Sequence, residues 1–212
     1  MWKSNDEYIQ HILKFAGVPY EEPLSLSTFY NSVYKPLFQE ALLEIQKFIN
    51  FSFMRKEGEF VLPAGKSSIN LNTKNIKFIQ AIFRKGSNKV LEGFEYAKYA
   101  GSLLVGNPTA YYFDDNAMTI YFNATPIEDI VYRIIYYEYD LDSDPHPVLN
   151  EAPEVLKYLY LAKIYLHLGE YDKYENAYQK YIALCKLEDG LEKIKKTRTT
   201  LLKLKHGYEG WW

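Results

Sequence analysis

The spacing of apolar residues changes twice along this chain, and these changes constrain the fold more than any other feature. From Thr28 to Ile49, apolar residues recur every three or four positions, the period of an amphipathic helix. Over residues 58-139 the pattern becomes short β-type runs separated by turns, and helical spacing returns after Pro153. This order predicts an α+β fold: a helical bundle from both chain ends with an inserted small antiparallel β-sheet or sandwich and an extended C-terminal arm.

Several predicted helices have clear boundaries. Glu7 to Phe15 is predicted as a short helix that Gly17 and Pro19 end. In the helix that follows, Pro36 lies inside the apolar pattern, so this helix either kinks there or begins near Lys35. Two later helices, from Pro153 to Gly169 and from Tyr171 to Leu184, are joined by a turn so short that they must pack antiparallel.

Seven runs in the middle of the chain are predicted as strands, and one short helical segment is predicted at Phe94 to Ala100. The strands are Glu59 to Leu62, Ser68 to Leu71, Ile76 to Arg84, Lys89 to Leu91, Ala110 to Phe113, Met118 to Phe122 and Ile130 to Tyr139. Asp114-Asp115 falls in a turn between two of them, where aspartate is favoured for its bonds to the backbone.

The predicted organisation is a single domain over residues 1-190, with helices in 5-53, the β insert in 58-139 and a helical hairpin in 153-187. A C-terminal arm, residues 191-212, follows. The arm has six Lys or Arg against Glu192 and Glu209, a charge of +4, so the remainder carries -6. We expect the arm to bind a partner after assembly through five residues: Tyr208, Trp211, Trp212, Lys203 and Lys205. The alternative is that the arm covers its own helical hairpin.

The overall composition excludes several classes of function. The formal net charge of -2 gives no general attraction to nucleic acid or to an anionic membrane. The single cysteine, Cys185, excludes a disulfide framework, and we expect neither a signal peptide nor a membrane span. Aromatic residues make up 17% of the chain, including 21 Tyr. Tyrosine suits surfaces that are wet in the free protein and covered in an assembly, although a tyrosine-rich core is equally consistent with this content.

One acidic segment has the spacing of a calcium-binding loop. Asp140, Asp142, Asp144 and Glu151 occupy positions one, three, five and twelve of an EF-hand loop. Position six requires a glycine with positive φ, and Pro145 stands there with its φ locked negative. We therefore expect an acidic linker and no metal site.

No catalytic motif is recognisable, and no cofactor is expected. His11, His146, His167 and His206 are scattered without the spacing of metal ligands, and nucleophile-elbow, Walker and dinucleotide-binding motifs are absent. An enzyme is therefore not predicted. The stretch from Leu156 to Leu184 looks like one tetratricopeptide unit, which leaves a peptide-binding scaffold as the alternative function. No second copy occurs at the 34-residue period of such repeats.

Four segments, covering about Leu37 to Leu187, resemble the head-to-tail adaptor (connector) family of tailed bacteriophages. A helix closes in Phe48-Ile-Asn-Phe51-Ser-Phe53 before a basic turn, and a strand from Asn72 to Phe83 follows a polar turn. Next come Gly106-Asn-Pro-Thr-Ala-Tyr-Tyr112, Met118-Thr-Ile-Tyr-Phe122, Thr125-Pro126 and Ile130 to Tyr139. The last segment is Ala152-Pro-Glu-Val-Leu with Leu168-Gly-Glu-Tyr171 and Tyr174-x-x-Ala-Tyr-x-x-Tyr181.

The resemblance implies a structural virion protein and not an enzyme. Family members form a ring, commonly of twelve subunits, that docks on the portal protein and carries the tail (nozzle) protein, while DNA passes through a central channel without specific binding. The expected location is the head-tail junction of the virion, after synthesis and assembly in the bacterial host cytoplasm. The partner expected for the C-terminal arm is then the portal or a neighbouring subunit, and no membrane partner is implied.

Overall fold

A computed structural model describes residues 2-19, 28-71, 75-94 and 104-187. Internal contacts divide the chain into two compact units. The helical unit comprises the residues up to Ile49 and from Leu141 onward, and the β unit comprises Asn50–Asp140. The α+β class predicted from the sequence is confirmed. The single domain over residues 1-190 stays a prediction, because compactness alone does not test it.

The first helix of the helical unit, α1 (Asn5–Ala16), has local signals at both ends. The Ser4 hydroxyl accepts the Glu7 N–H at 3.1 Å, and this contact caps the start of the helix. Gly17 ends it with a φ of 73°, a left-handed conformation that glycine adopts without steric cost, and donates its N–H to the Lys14 carbonyl. The helix predicted over Glu7 to Phe15 is therefore confirmed.

The helical hydrogen-bond pattern changes just before Pro36. A π-helical turn, Tyr30–Tyr34, precedes the α-helix α2 (Lys35–Phe48). Lys35 donates its N–H to the Tyr30 carbonyl, the wider i to i−5 pattern. Pro36, which has no N–H to donate, then occupies the first turn of α2. The helical backbone is continuous from residue 28 to Phe48, so α2 continues an earlier helical stretch and does not start a new helix near Lys35.

The chain returns to the helical unit through a short helix, α3 (Val148–Glu151), followed by α4 (Pro153–His167). Residues 171-187 form the next helix, α5. Lys173 lies over the Tyr165 ring and Lys180 over the Tyr158 ring, at 5.5 and 5.2 Å. Later residues of α5 thus contact earlier residues of α4. This order confirms the predicted antiparallel hairpin.

Aromatic side chains connect three helices in the core of the helical unit. The ring of Phe38 on α2 lies 5.9 Å from Tyr8 on α1 and 5.4 Å from Tyr160 on α4. All three side chains are at least 98% buried. Aromatic pairs at such distances add about 0.5–1.5 kcal/mol each to the free energy gained by burial alone.

The described residues of the β unit form nine strands, which follow the 3-10 turn Ser52–Met54. The strands are β1 (Arg55–Leu62), β2 (Ser68–Asn70), β3 (Ile76–Arg84), β4 (Glu92–Gly93), β5 (Leu104–Val105), β6 (Ala110–Asp114), β7 (Thr119–Phe122), β8 (Ala124–Thr125) and β9 (Ile130–Glu138). They form a three-stranded sheet in the order β1-β9-β3, a four-stranded sheet in the order β2-β7-β6-β4, and the pair β5-β8.

One apolar cluster fills the β unit between the larger sheets. Its most deeply buried members come from both sheets: Leu62, Ile82, Ile134, Tyr132, Ile120 and Phe122. The rings of Phe122 on β7 and Tyr132 on β9 stack at 4.9 Å across this core. Alternate residues of β9 therefore face inward, as a half-buried strand requires.

Two details of the predicted β insert are corrected. The sheet was expected to be antiparallel, but β4 pairs with β6 and β5 with β8 in parallel. The strand expected at Lys89 to Leu91 is reduced to a single bridge between Val90 and Phe83, and the strand lies at β4 instead. The helical segment predicted at Phe94 to Ala100 lies, beyond Phe94, outside the described residues.

Candidate interaction surfaces

A groove beside α2 is a concavity of the helical unit. The groove, called here the α2 groove, has a volume of about 370 Å³ and is lined by Pro36, Gln39, Glu40, Leu42, Leu43, Leu141 and Asp142. Four of these side chains are apolar and two carry carboxylates. Such a site suits an apolar group that is followed or preceded by a cation.

Lys163 on α4 fixes the helix that carries this groove. Its ammonium lies 2.9 Å from the Glu44 carboxylate and 3.7 Å from that of Glu40. The Glu40 side chain remains 64% exposed, whereas that of Glu44 is 28% exposed. Lys163 therefore pairs mainly with Glu44, and the carboxylate of Glu40 still faces solvent at the groove.

The turn of the α4-α5 hairpin presents a second surface, called here the hairpin tip. It consists of Leu166, Leu168 and Tyr171, whose exposed fractions are 49%, 42% and 69%. Gly169 makes the turn with a φ of 73°. Three apolar side chains this exposed within six residues form a patch of the kind that marks a protein contact.

The β unit has its own apolar surface, called here the β5-β8 edge. Leu104, Val105 and Ile127 are 63%, 79% and 80% exposed. Asn123 holds the loop that follows β5, because its side-chain oxygen accepts the N–H groups of Thr109 and Ala110 at 3.0 Å. Leu104 and Val105 also pair with Ala124 and Thr125 in the β5-β8 ladder.

Ion pairs cover the outer face of the three-stranded sheet. Lys85 pairs with Glu59 at 2.8 Å, and Arg84 with Glu128 and Arg133 with Glu57 at 3.5 Å. All six side chains are 45-70% exposed, so each pair contributes only about 0–1 kcal/mol to stability. The cavity of about 300 Å³ beside Arg84 and Lys85 therefore has its cations already neutralised by carboxylates.

Three tyrosines buried in the helical unit donate hydrogen bonds through their hydroxyls. Tyr8 donates to the Pro153 carbonyl at 3.1 Å, Tyr160 donates to the Tyr34 carbonyl at 3.0 Å, and Tyr30 donates to the Asp6 carboxylate. Burial raises the pKa of Tyr8, Tyr30, Tyr160 and Tyr181 far above its ordinary value, and at Tyr30 the bond to Asp6 adds to this. These phenols stay protonated at neutral pH and are not available for proton transfer.

The acidic segment predicted as a linker is tied to the start of α1. Asp144 accepts the Asn5 N–H at 2.6 Å, at the helix N-terminus where the dipole favours an anion. The Asn5 side chain donates to the Ser143 carbonyl at 3.0 Å and accepts the His146 N–H at 2.9 Å. No group of three His, Cys, Asp or Glu residues within the described ranges could hold a metal ion.

The histidines also have defined places. His146 is fully buried, its Nδ1 accepts the Val148 N–H at 3.2 Å, and its Nε2 lies 3.5 Å from the buried Gln46 amide. His11 and His167 are exposed. His206 lies outside the described residues. Of the four histidines, His11 and His167 thus lie at the surface and His146 lies in the core.

The five residues predicted to bind a partner, Tyr208, Trp211, Trp212, Lys203 and Lys205, all lie outside the described residues. The α2 groove, the hairpin tip and the β5-β8 edge were not predicted. A signal existed for the hairpin tip, since Leu166, Leu168 and Tyr171 flank Gly169, at a turn where polar residues are usual. No such signal marks the α2 groove, because Leu141 follows α2 by about a hundred residues.

Among the described residues, no helix has the length and apolar content to cross a membrane. No curated protein matches the chain. The model of one family, the SU10 adaptor protein, matches residues 23–201, a range that includes α2, the complete β unit and the α4-α5 hairpin. This range agrees with the segments that carried the resemblance in the sequence. The chain therefore belongs to the SU10 adaptor protein family, a family of phage head-to-tail adaptors.

Proposed function

We propose that this adaptor forms a homo-oligomeric ring, commonly of twelve copies in such assemblies, that docks on the portal protein and carries the tail (nozzle) protein. The observation that best supports this is the presence of separate apolar surfaces in the two units. A ring needs heterologous contacts, in which each copy uses two different surfaces. The hairpin tip and the β5-β8 edge are our candidates for these contacts, because each has three exposed apolar side chains.

The charges of the chain are compatible with DNA passing through the ring. The β unit has ten basic and ten acidic residues, and the three cations on its outer sheet face are already paired. A surface with unpaired cations would release counterions on contact with phosphates and would grip the DNA. We infer that DNA slides through without specific binding, at the head-tail junction of a virion assembled in the host cytoplasm.

The role proposed for the protein is structural, without catalysis or a cofactor. The family is a structural phage family, and three buried phenols with raised pKa values, those of Tyr8, Tyr30 and Tyr160, serve as hydrogen-bond donors within the fold. The alternative, a tetratricopeptide-like scaffold, predicts a monomer that binds extended peptides. Binding of peptides by the monomer, without any ring on the portal, would favour that alternative.

Electron microscopy of the protein mixed with the portal of the same phage tests the ring directly. We expect rings bound to portals, and we expect substitution of Leu168 and Tyr171 by Asp, or of Val105 and Ile127 by Asp, to reduce occupancy without loss of fold. The change Asn176→Asp, at another exposed position of α5, is the matched control. Portals that stay bare with the unaltered chain would contradict the proposal.

We further propose that the free protein is monomeric or weakly associated and that ring closure requires the portal. Open-ended association of a heterologous interface would otherwise deplete subunits into wrong assemblies. Light scattering of the purified chain measures this. A stable closed ring at micromolar concentration without portal would contradict the requirement for a template.

The C-terminal arm is proposed to anchor the assembled subunit through Tyr208, Trp211 and Trp212, with Lys203 and Lys205 around them. Truncation after His206 removes the three aromatic anchors. The truncated monomer should melt like the full chain yet fail to stay on portal-containing heads. A melting temperature several degrees lower with binding retained would show that the arm stabilises its own subunit instead.

A further inference from the structure

The excess of acidic residues outside the C-terminal arm belongs entirely to the helical unit. Residues 1-49 and 141-190 contain nine basic and fifteen acidic residues, whereas the β unit has ten of each. The arm, residues 191-212, has six basic and two acidic residues. The unit whose charge complements that of the arm is therefore the helical unit, because the β unit has no net charge with which to attract it.

Within the helical unit, the α2 groove combines the two properties that such an arm requires. Leu42, Leu43 and Leu141 provide an apolar floor and wall for an aromatic ring. The carboxylates of Glu40 and Asp142 lie at the same groove, and the Glu40 side chain is 64% exposed. Its volume of about 370 Å³ lies at the small end of the range for ligand pockets, roughly 300–1,000 Å³, and is suited to one or two side chains.

We propose that the arm of one copy binds the α2 groove of the neighbouring copy in the ring. Trp211 or Trp212 enters the groove, and the lysines at positions 203 and 205 lie near Glu40 and Asp142. This proposal rests on the ring of the proposed function and names the receptor for the arm within it.

Two physical arguments favour the neighbouring copy. Helical units that each carry six excess negative charges repel one another when they are placed side by side, and a basic arm between them offsets this repulsion. Length also permits it: the 25 residues after Leu187 can span up to about 80 Å when extended, whereas a helix of 15 residues such as α4 is only about 22 Å long.

Disulfide trapping in the full-length chain tests the proposal. In a Cys185→Ser background, one variant carries Gln39→Cys at the groove and a second carries Trp211→Cys in the arm. In the presence of the portal of the same phage, the mixed variants should form the heterodimeric disulfide several times faster than a mixture in which Gln179→Cys replaces Gln39→Cys. Both glutamines are exposed, and Gln179 lies on α5, closer in sequence to the arm. Raised salt or Glu40→Gln should slow the trapping.

Every other outcome overturns the proposal. A chain carrying both Gln39→Cys and Trp211→Cys that closes on itself as a monomer would place the arm on its own subunit. Equal rates at positions 39 and 179 would show that the arm does not select the groove. Binding to portals is measured separately by microscopy, so a failure here leaves the ring itself intact.

Discussion

The two units of this adaptor fill their cores in different ways. The helical unit buries tyrosines whose hydroxyls donate to partners from distant parts of the chain, such as Tyr160 to the Tyr34 carbonyl and Tyr8 to the Pro153 carbonyl. The β unit buries mainly aliphatic side chains between two sheets, with Phe122, Tyr132 and Tyr136 among them. A hydrogen bond has a required direction and an apolar contact does not. The helical core thus depends on exact geometry and on phenol protonation, while the β core depends on filled volume.

Alkaline pH should produce the largest difference in stability between the two units. Burial raises the pKa of Tyr8, Tyr30, Tyr160 and Tyr181 in the helical unit far above 10 and that of Tyr132 in the β unit to about 12. A phenol whose pKa is raised in the folded state stabilises the fold fully below the unfolded value of about 10 and loses this as the pH rises through the folded value. Each such group lowers the free energy of unfolding by about 1.4 kcal/mol per pH unit in that window.

The helical unit should therefore unfold first above about pH 10, since four of these phenols belong to it. Hydrogen exchange followed by mass spectrometry assigns the loss of protection to α1, α2 and α4 or to β1, β3 and β9. Loss of protection in the β strands first would break the comparison.

A cavity in the β core should have the next largest effect. Phe122 is fully buried and stacks on Tyr132, and its replacement by Ala should lower the free energy of unfolding by about 3–5 kcal/mol. Urea denaturation measures the loss. The change Val105→Ala, at a side chain 79% exposed, should cost less than about 0.5 kcal/mol. A Phe122→Ala loss as small as this control would mean that the β core can collapse around the missing ring.

Removal of a single hydroxyl sharpens the comparison. Tyr160→Phe removes the hydroxyl that donates to the buried Tyr34 carbonyl and should cost about 1 kcal/mol. Tyr132→Phe should cost less. Tyr132 lies in the apolar cluster of the β unit, where its ring contributes by packing, and Phe preserves that packing. Thermal unfolding of the two variants decides the order. Equal losses would show that the hydroxyls do not distinguish the two cores.

The smallest effect is expected from calcium. The acidic excess of the helical unit is spread over its surface, and Asp144 already accepts the Asn5 N–H. Excess calcium or a chelator should shift the melting temperature by less than about 1 °C, whereas specific binding at a hundredfold excess over Kd would stabilise by about 2.7 kcal/mol. A shift of several degrees with calcium would reveal a metal site between Asp140 and Glu151.

Much of the fold could be predicted from periodicity. The strand Ile76–Arg84 has the predicted bounds, and Pro36 marks the place where the hydrogen-bond pattern of the helix changes. Strands of two residues, such as Leu104–Val105 and Ala124–Thr125, contain too few positions to show a period, so their parallel pairing could not be seen. The π-helical turn at Tyr30–Tyr34 has the same apolar pattern as an α-helix over so short a length.

The candidate surfaces were harder to predict, because they depend on contacts between distant residues. The α2 groove needs Leu141 beside Leu43, and no local pattern relates these positions. Contacts between residues close in sequence could be predicted. The Asp114 carboxylate, for example, accepts the N–H groups of Asn116 and Ala117 at 3.0 Å. That contact spans three residues, and the turn was predicted correctly.

The bonds of Asn5 to Ser143 and His146 determine when the protein can finish folding during its synthesis. These partners are separated by 138 and 141 residues, so at a translation rate of about 5–20 residues per second α1 waits roughly 7–28 s for them. The β unit is one continuous stretch that ends at Asp140, and the ribosome completes it before either partner of Asn5 is made. We therefore expect the β unit to fold while α1 and α2 of the helical unit still lack the segments against which they pack.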